Sequence, residues 1–162
     1  MSIAARVETR DQLARLLQIG IVLEEVVEAR AYEHYQRLPD GERDERIEAL
    51  LEEVREESAA HREHLEALAD RVNGGAPAVD VSDLVHERYA RTGPEDFDGV
   101  LYDQLNGEET AYKFYDDLIE AVEASDVPLG VDRDELLSTL REIRAEEAAG
   151  VEEVAALMES RP

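Results

Sequence analysis

The chain contains no cysteine and no tryptophan, and Lys113 is its one lysine. Without a thiol it can form no disulfide, zinc finger, iron–sulfur cluster, rubredoxin-type iron site or thiol nucleophile. Bases are scarce: 17 Lys and Arg face 41 Asp and Glu, for a net charge of −24. A nucleic-acid binder needs a basic footprint, and this surface would repel phosphate and anionic lipid headgroups alike. No apolar run reaches the roughly 18 residues of a membrane span. The first ten residues carry Arg6, Glu8 and Arg10 and no apolar segment, so no signal peptide is expected and the expected compartment is the cytoplasm. Glycine and proline are few, 9 and 5, so the chain is punctuated at only a handful of places.

What is present points to helices. A length of 162 residues suits one domain spanning 1–162, and 43% hydrophobic content is too high for a disordered acidic tail. Leu38-Pro39-Asp40-Gly41, Asn73-Gly74-Gly75-Ala76-Pro77, Thr92-Gly93-Pro94 and Ser125-Asp126-Val127-Pro128-Leu129-Gly130 read as turns. Between them lie long stretches of Ala, Leu, Glu and Arg, all good helix formers. Thr9 with Gln12, and Asp132 with Glu135, have the spacing of helix-starting capping pairs. The expected architecture is all-α: four helices over about 10–37, 42–72, 95–124 and 132–159, with a short extra helix near 82–91. Short loops make the first and second helices antiparallel neighbours, and likewise the third and fourth. The connection of roughly 20 residues between the second and third is long, as in bundles with one crossover.

The apolar stripes of these helices are interrupted. At steps of three and four, the first helix gives Leu17, Ile21, Glu24, Glu28, Ala31, Tyr35 and Leu38. The second gives Ile47, Leu51, Val54, Ser58, His61, Leu65 and Leu68. The third gives Leu101, Gln104, Glu108, Ala111, Tyr115 and Leu118. The fourth gives Leu136, Leu140, Ile143, Glu147, Gly150, Val154 and Leu157. Each stripe is apolar at its ends and polar or small in its middle. Packed together, they bring Glu28, Ser58, His61, Glu108, Glu147 and Gly150 into the bundle. An internal repeat supports that alignment. Glu28-x-x-Ala31-x-x-His34-Tyr35 recurs as Glu108-x-x-Ala111-x-x-Phe114-Tyr115, and residues 53–68 align without gaps to 142–157. The chain therefore reads as two copies of a helical hairpin.

An ionised Glu inside a bundle costs several kcal/mol unless it is paired. Three of them facing each other require a proton, an inward Arg or a cation, and carboxylates with an imidazole are natural ligands of divalent metals. These residues resemble the ferritin-like superfamily, and within it the rubrerythrin-like di-iron carboxylate proteins. That resemblance covers roughly 10–72 and 95–159. It implies an antiparallel ferritin-like four-helix bundle with one long crossover, and a metal site built from a Glu on each of two helices and Glu-x-x-His on the other two. Glu28 and Glu108 fall on the single-Glu positions. The two Glu-x-x-His pairs fall on Ser58-Ala59-Ala60-His61 and Glu147-Ala148-Ala149-Gly150, so four of six ligands are retained. Glu57, one turn before His61, is a replacement carboxylate; Gly150 leaves a space for water or a small ligand. Tyr35 and Tyr115 are expected as core aromatics whose hydroxyls bond the buried carboxylates. His34, His64 and His86 are expected to be structural or exposed.

The resemblance implies one or two iron ions per chain, with manganese or zinc as other candidates. It implies peroxide reduction or Fe(II) oxidation in oxidative-stress or iron handling, with electrons from a separate donor protein, and a homodimer. The competing expectation is a degenerate member that has lost catalysis and serves as a structural or protein-interaction module. The acidic, Lys-poor, Arg-retaining composition separately resembles proteins of halophilic archaea. At molar salt the Debye length is about 3 Å, which screens such self-repulsion.

Overall fold

Thr9 starts the first helix, α1 (Arg10–Arg37). Its hydroxyl accepts from the Gln12 N–H at 3.0 Å, and the Gln12 amide oxygen accepts from the Glu8 N–H at 2.8 Å. The reciprocal bond thus lands one residue before the cap. Leu38 ends the helix ahead of Pro39, its N–H still donating to His34 O. A short 3-10 turn at Asp40–Glu42 leads to α2 (Glu45–Val72), then come α3 (Phe97–Glu123) and α4 (Arg133–Glu159). Asp132 caps α4 by accepting from the Asp134 N–H at 2.9 Å. Glu135 does not return a bond to that cap; its carboxylate pairs with Arg71 at 2.6 and 2.8 Å.

The computed structural model describes residues 6–42, 44–72 and 97–160, among which four long helices and no strand are found. The expected short helix at 82–91, the turns at 73–77 and 92–94, and His86 lie outside the described residues. The four expected long helices otherwise agree with the observed ones to within three residues at each end.

Named contacts fix the helix directions. The Arg10 guanidinium donates to Val72 O at 2.6 Å, so α1 and α2 are antiparallel. Val7 N–H donates to Ala121 O at 3.0 Å, while His34 meets Gln104 at 3.2 Å, so α1 and α3 are antiparallel too. Arg46 reaches Ser160, and Arg71 reaches Glu135, which sets α2 against α4. It follows that α2 and α3 run the same way and that α3 begins at the end of the bundle opposite to where α2 stops. Between α3 and α4 the chain turns through Gly130, whose φ of 79° suits glycine. A Cβ there would also meet the Arg10 guanidinium at 2.6 Å. Arg133 latches this turn by donating to the carbonyls of Val122, Ser125 and Val127.

The apolar interior is divided in two. One cluster gathers Leu13, Leu17, Ile21, Leu65, Leu118, Leu136 and Leu140 around the α1 start. The other gathers Leu38, Ile47, Leu51, Val54, Leu101 and Val154 around the α1 end. Each fully buried aliphatic side chain contributes about 1.5–3 kcal/mol of apolar transfer energy. Between the clusters lies a buried polar layer that includes Glu24, Ser58, His61, Glu108 and Glu147. The interrupted stripes of the sequence are this layer.

Candidate metal centre

His61, on α2, stands at the middle of the polar layer with its side chain 3% exposed. Its two ring nitrogens face different carboxylates. Nδ1 lies 3.3 Å from Glu24 Oε1 on α1 and 3.3 Å from Glu147 Oε1 on α4. Nε2 contacts Glu146 Oε2 and lies 4.0 Å from Glu57 Oε1. Two groups of three donors result, Glu24–His61–Glu147 and Glu57–His61–Glu146, each with all donor atoms within 4.8 Å of one another. The first is buried. The second is the more open, with Glu57 28% and Glu146 45% exposed.

The buried group has a further property. Neither His61 Nδ1 nor Glu24 Oε2 has a hydrogen-bond partner, although both are out of solvent contact. Such atoms are costly unless something satisfies them. The spacing of Nδ1 from Glu24 Oε1 and Glu147 Oε1 suits a cation. A metal about 2.1 Å from each ligand atom places neighbouring ligands about 3.0 Å apart in an octahedron and about 3.4 Å apart in a tetrahedron. The 3.3 Å separations at Nδ1 fall between these values. Three N/O donors of this kind suit Fe(II), Mn(II) or Zn(II).

Glu24 is further held by Tyr115, whose hydroxyl donates to Glu24 Oε1 at 2.6 Å. Burial raises the Tyr115 pKa, and the neighbouring Glu24 charge raises it further, so the phenol stays protonated. Tyr115 therefore meets the expectation of a hydroxyl on a buried carboxylate. Tyr35 is half-buried and packs beside the second apolar cluster.

Glu108, on α3, completes the layer by sharing a hydrogen bond with Glu147. A hydrogen bond between two carboxyls needs a proton on one of them. Burial raises both, and their mutual proximity with Glu24 adds to the rise for Glu147. For His61, burial disfavours the imidazolium, yet the carboxylates of Glu147, Glu24 and Glu146 outweigh it and the pKa is raised. Glu57 is pushed up to about 7, chiefly by burial, and also by the charges of Glu108, Glu146 and Glu53. In the absence of a cation, protons do the neutralising.

Four of the five sequence-predicted ligands meet here: His61, Glu108 and Glu147 in the buried layer, Glu57 at its outer edge. Glu28 does not join them. It is 27% exposed, and its carboxylate lies 3.4 Å from Arg62, which also contacts Glu25 and Glu66. The α1 carboxylate that reaches His61 is Glu24, one turn earlier. The antiparallel pairing of α1 with α2 sets Glu24 level with His61, and the Arg62 guanidinium reaches along α1 to Glu25 and Glu28. Glu24 was on the apolar stripe; the internal repeat selected Glu28 instead. Glu146 carried no signal in the stripes, because it sits one position to the side of Glu147 and faces α2.

Gly150 also differs from expectation. The space above it is taken by Glu108: a Cβ at Gly150 would lie 2.8 Å from Glu108 Oε2 and 2.9 Å from Cδ. Ser58 is buried in the layer, and His64 is exposed. His34 is buried in a separate network, 3.2 Å from Gln104 and 3.5 Å from Asp103, which is held bidentately by Arg30. Burial lowers its pKa.

Among the described residues no helix is long and apolar enough to cross a membrane. No protein-family model, no curated protein and no solved structure matches the chain.

Proposed function

We propose that this chain is a ferritin-like, rubrerythrin-type protein whose polar layer holds iron, and that it acts in peroxide reduction or Fe(II) oxidation. The observation that carries this reading is the pair of unsatisfied buried atoms, His61 Nδ1 and Glu24 Oε2, within a set of donors at metal-ligand spacing. Glu24, His61 and Glu147 would hold the ion, with Glu108 in reach through its bond to Glu147. Bound there, iron supplies one-electron redox chemistry toward peroxide or dioxygen; manganese or zinc is accommodated by the same donors. The chain's own part is to hold three carboxylates and an imidazole out of bulk water between two apolar clusters. Tyr115 fixes the Glu24 carboxylate. A chain without cysteine needs an external electron donor, and a homodimer belongs to the same reading.

One observation favours the alternative, a catalytically degenerate structural or interaction module. Glu108 fills the position above Gly150 where the second Glu-x-x-His would place its imidazole, and Ser58 supplies no carboxylate. Elemental analysis of untagged protein, purified in high salt without chelator, separates the two. About one or two iron ions per chain support the first reading. No metal, even after anaerobic Fe(II) or Mn(II) is offered, supports the second.

A further inference from the structure

The two nitrogens of His61 face two separate carboxylate pairs, one buried and one open. On the open side, a groove of about 470 Å³ runs between α2 and α4. Its walls carry Glu53, Glu56, Glu57, Glu146 and Glu153, and its floor is made of small residues, among them Ala60 and Gly150. Among the described residues no Lys or Arg lines it. Glu57 and Glu146 thus belong both to the groove and to the outer donor group on His61 Nε2. On the inner side, Nδ1 is without a hydrogen-bond partner and points between Glu24 and Glu147.

A neutral imidazole has one lone pair available to a cation; its other nitrogen carries the proton. A cation on Nε2 therefore leaves N–H at Nδ1, beside Glu24 and Glu147. A cation on Nδ1 leaves N–H at Nε2, beside Glu146. In each state the nitrogen without metal has a carboxylate acceptor waiting for its proton. The same ring cannot serve both cations unless it loses its second proton as well.

We infer that the Glu57–His61–Glu146 group is a loading station for a divalent cation, which passes from Nε2 in the acidic groove to Nδ1 in the buried layer. This inference rests on the metal-centre reading above and adds to it a route and an order of events. Transfer forms a metal–Nδ1 bond, breaks a metal–Nε2 bond, and moves one proton from Nδ1 to Nε2 by way of the flanking carboxylates and water. No electron moves. A groove of one charge sign also raises the local cation concentration and hence the association rate.

The test uses the full chain, freed of metal, and Co(II), whose visible absorption reports a bound nitrogen and oxygen donor set. Stopped-flow mixing gives the association rate, chelator challenge gives the dissociation rate, and equilibrium titration gives affinity and stoichiometry. Glu146→Gln is expected to slow association by roughly tenfold. Affinity falls as well, because Glu146 accepts from Nε2 once the cation is on Nδ1, while the stoichiometry stays at one Co(II) per chain. Glu142→Gln, on the exposed side of α4, removes an equal charge and serves as the control. An association rate in Glu146→Gln no slower than in Glu142→Gln, or a wild-type stoichiometry of two Co(II) that both disappear in His61→Ala, overturns the loading station while leaving the metal centre standing. Failure of the wild type to bind Co(II) saturably removes the metal centre and the loading station together.

Discussion

The Glu108 carboxylate lies in the space that any side chain on Gly150 would enter, with Oε2 2.8 Å from the position of a Cβ. Two helices thus meet in the polar layer through a missing side chain on one and a long acidic one on the other. Gly150→Ala is expected to push the Glu108 carboxylate away from Glu147. The bond they share is then lost, at about 1–2 kcal/mol for a buried hydrogen bond, and the favourable helix propensity of Ala offsets about half of it. Thermal unfolding of the metal-free variant, compared with Glu108→Ala/Gly150→Ala, checks this. In the Glu108→Ala background Gly150→Ala should stabilise; if it destabilises there by as much as in the wild type, the contact between Glu108 and position 150 is not the cause.

The assignment of Glu24 rather than Glu28 is open to a paired comparison. Glu24→Gln removes a carboxylate 3.3 Å from His61 Nδ1, whereas Glu28→Gln removes one that faces Arg62. Loss of a metal ligand typically costs more than the 10–100-fold seen for its outer partners. Glu24→Gln should therefore weaken Mn(II) binding by about 100-fold or more, and Glu28→Gln by less than about threefold. The reverse order in an equilibrium titration would return the α1 ligand to Glu28.

Tyr115→Phe deletes the hydroxyl that donates to Glu24 at 2.6 Å and leaves a buried carboxylate with one partner fewer. The metal-free protein should lose about 1–3 kcal/mol of stability. A bound cation satisfies the same carboxylate, so the loss should shrink at saturating metal. Denaturant unfolding with and without Mn(II) measures both; an equal loss in the two conditions would place Glu24 outside the coordination sphere.

The pH dependence has a defined sign. Glu57 is raised from 4.5 to about 7 by burial, and Glu108 and Glu147 are raised too. Between these values the folded chain holds protons that the unfolded chain has released, so folding stability falls as pH rises. His61, raised above 6.5, acts in the same direction at higher pH. The metal-free melting temperature should fall from about pH 5 to about pH 8. In about 1 M salt, which screens the surface acids, the fall should persist, since buried groups are screened far less. Saturating metal should reverse it, because the cation competes with those protons. A metal-free melting temperature that rises over this range in high salt would contradict the protonated layer.

Much of this was legible in the residues. Helix ends followed from Thr9, Pro39 and Asp132, and the polar layer from four stripes broken at Ser58, His61, Glu108 and Glu147. The stripe of α1 offered two acids, Glu24 and Glu28, and the sequence holds no measure of how far α1 slides along α2. That offset is decided by packing: Gly20 lets Leu65 and Phe114 approach to 3.2 Å of its absent side chain. Glu146 was off the stripes, although the internal repeat aligns it with Glu57. A periodicity of three and four marks what points inward, and Glu146 meets His61 from the flank. The role of Gly150 was misread because a glycine announces room without naming which neighbour will use it.

The division of the apolar interior has a consequence for how such a chain changes over generations. Leu17, Leu65 and Leu136 close one end of the bundle, Ile47, Leu51 and Leu101 the other, and neither group contains the layer between them. Folding is anchored twice, above and below the polar layer. Side chains as small as Ser58 and Gly150 sit in that layer, and the helices on either side stay in register. The interior is a fixed socket with replaceable pins.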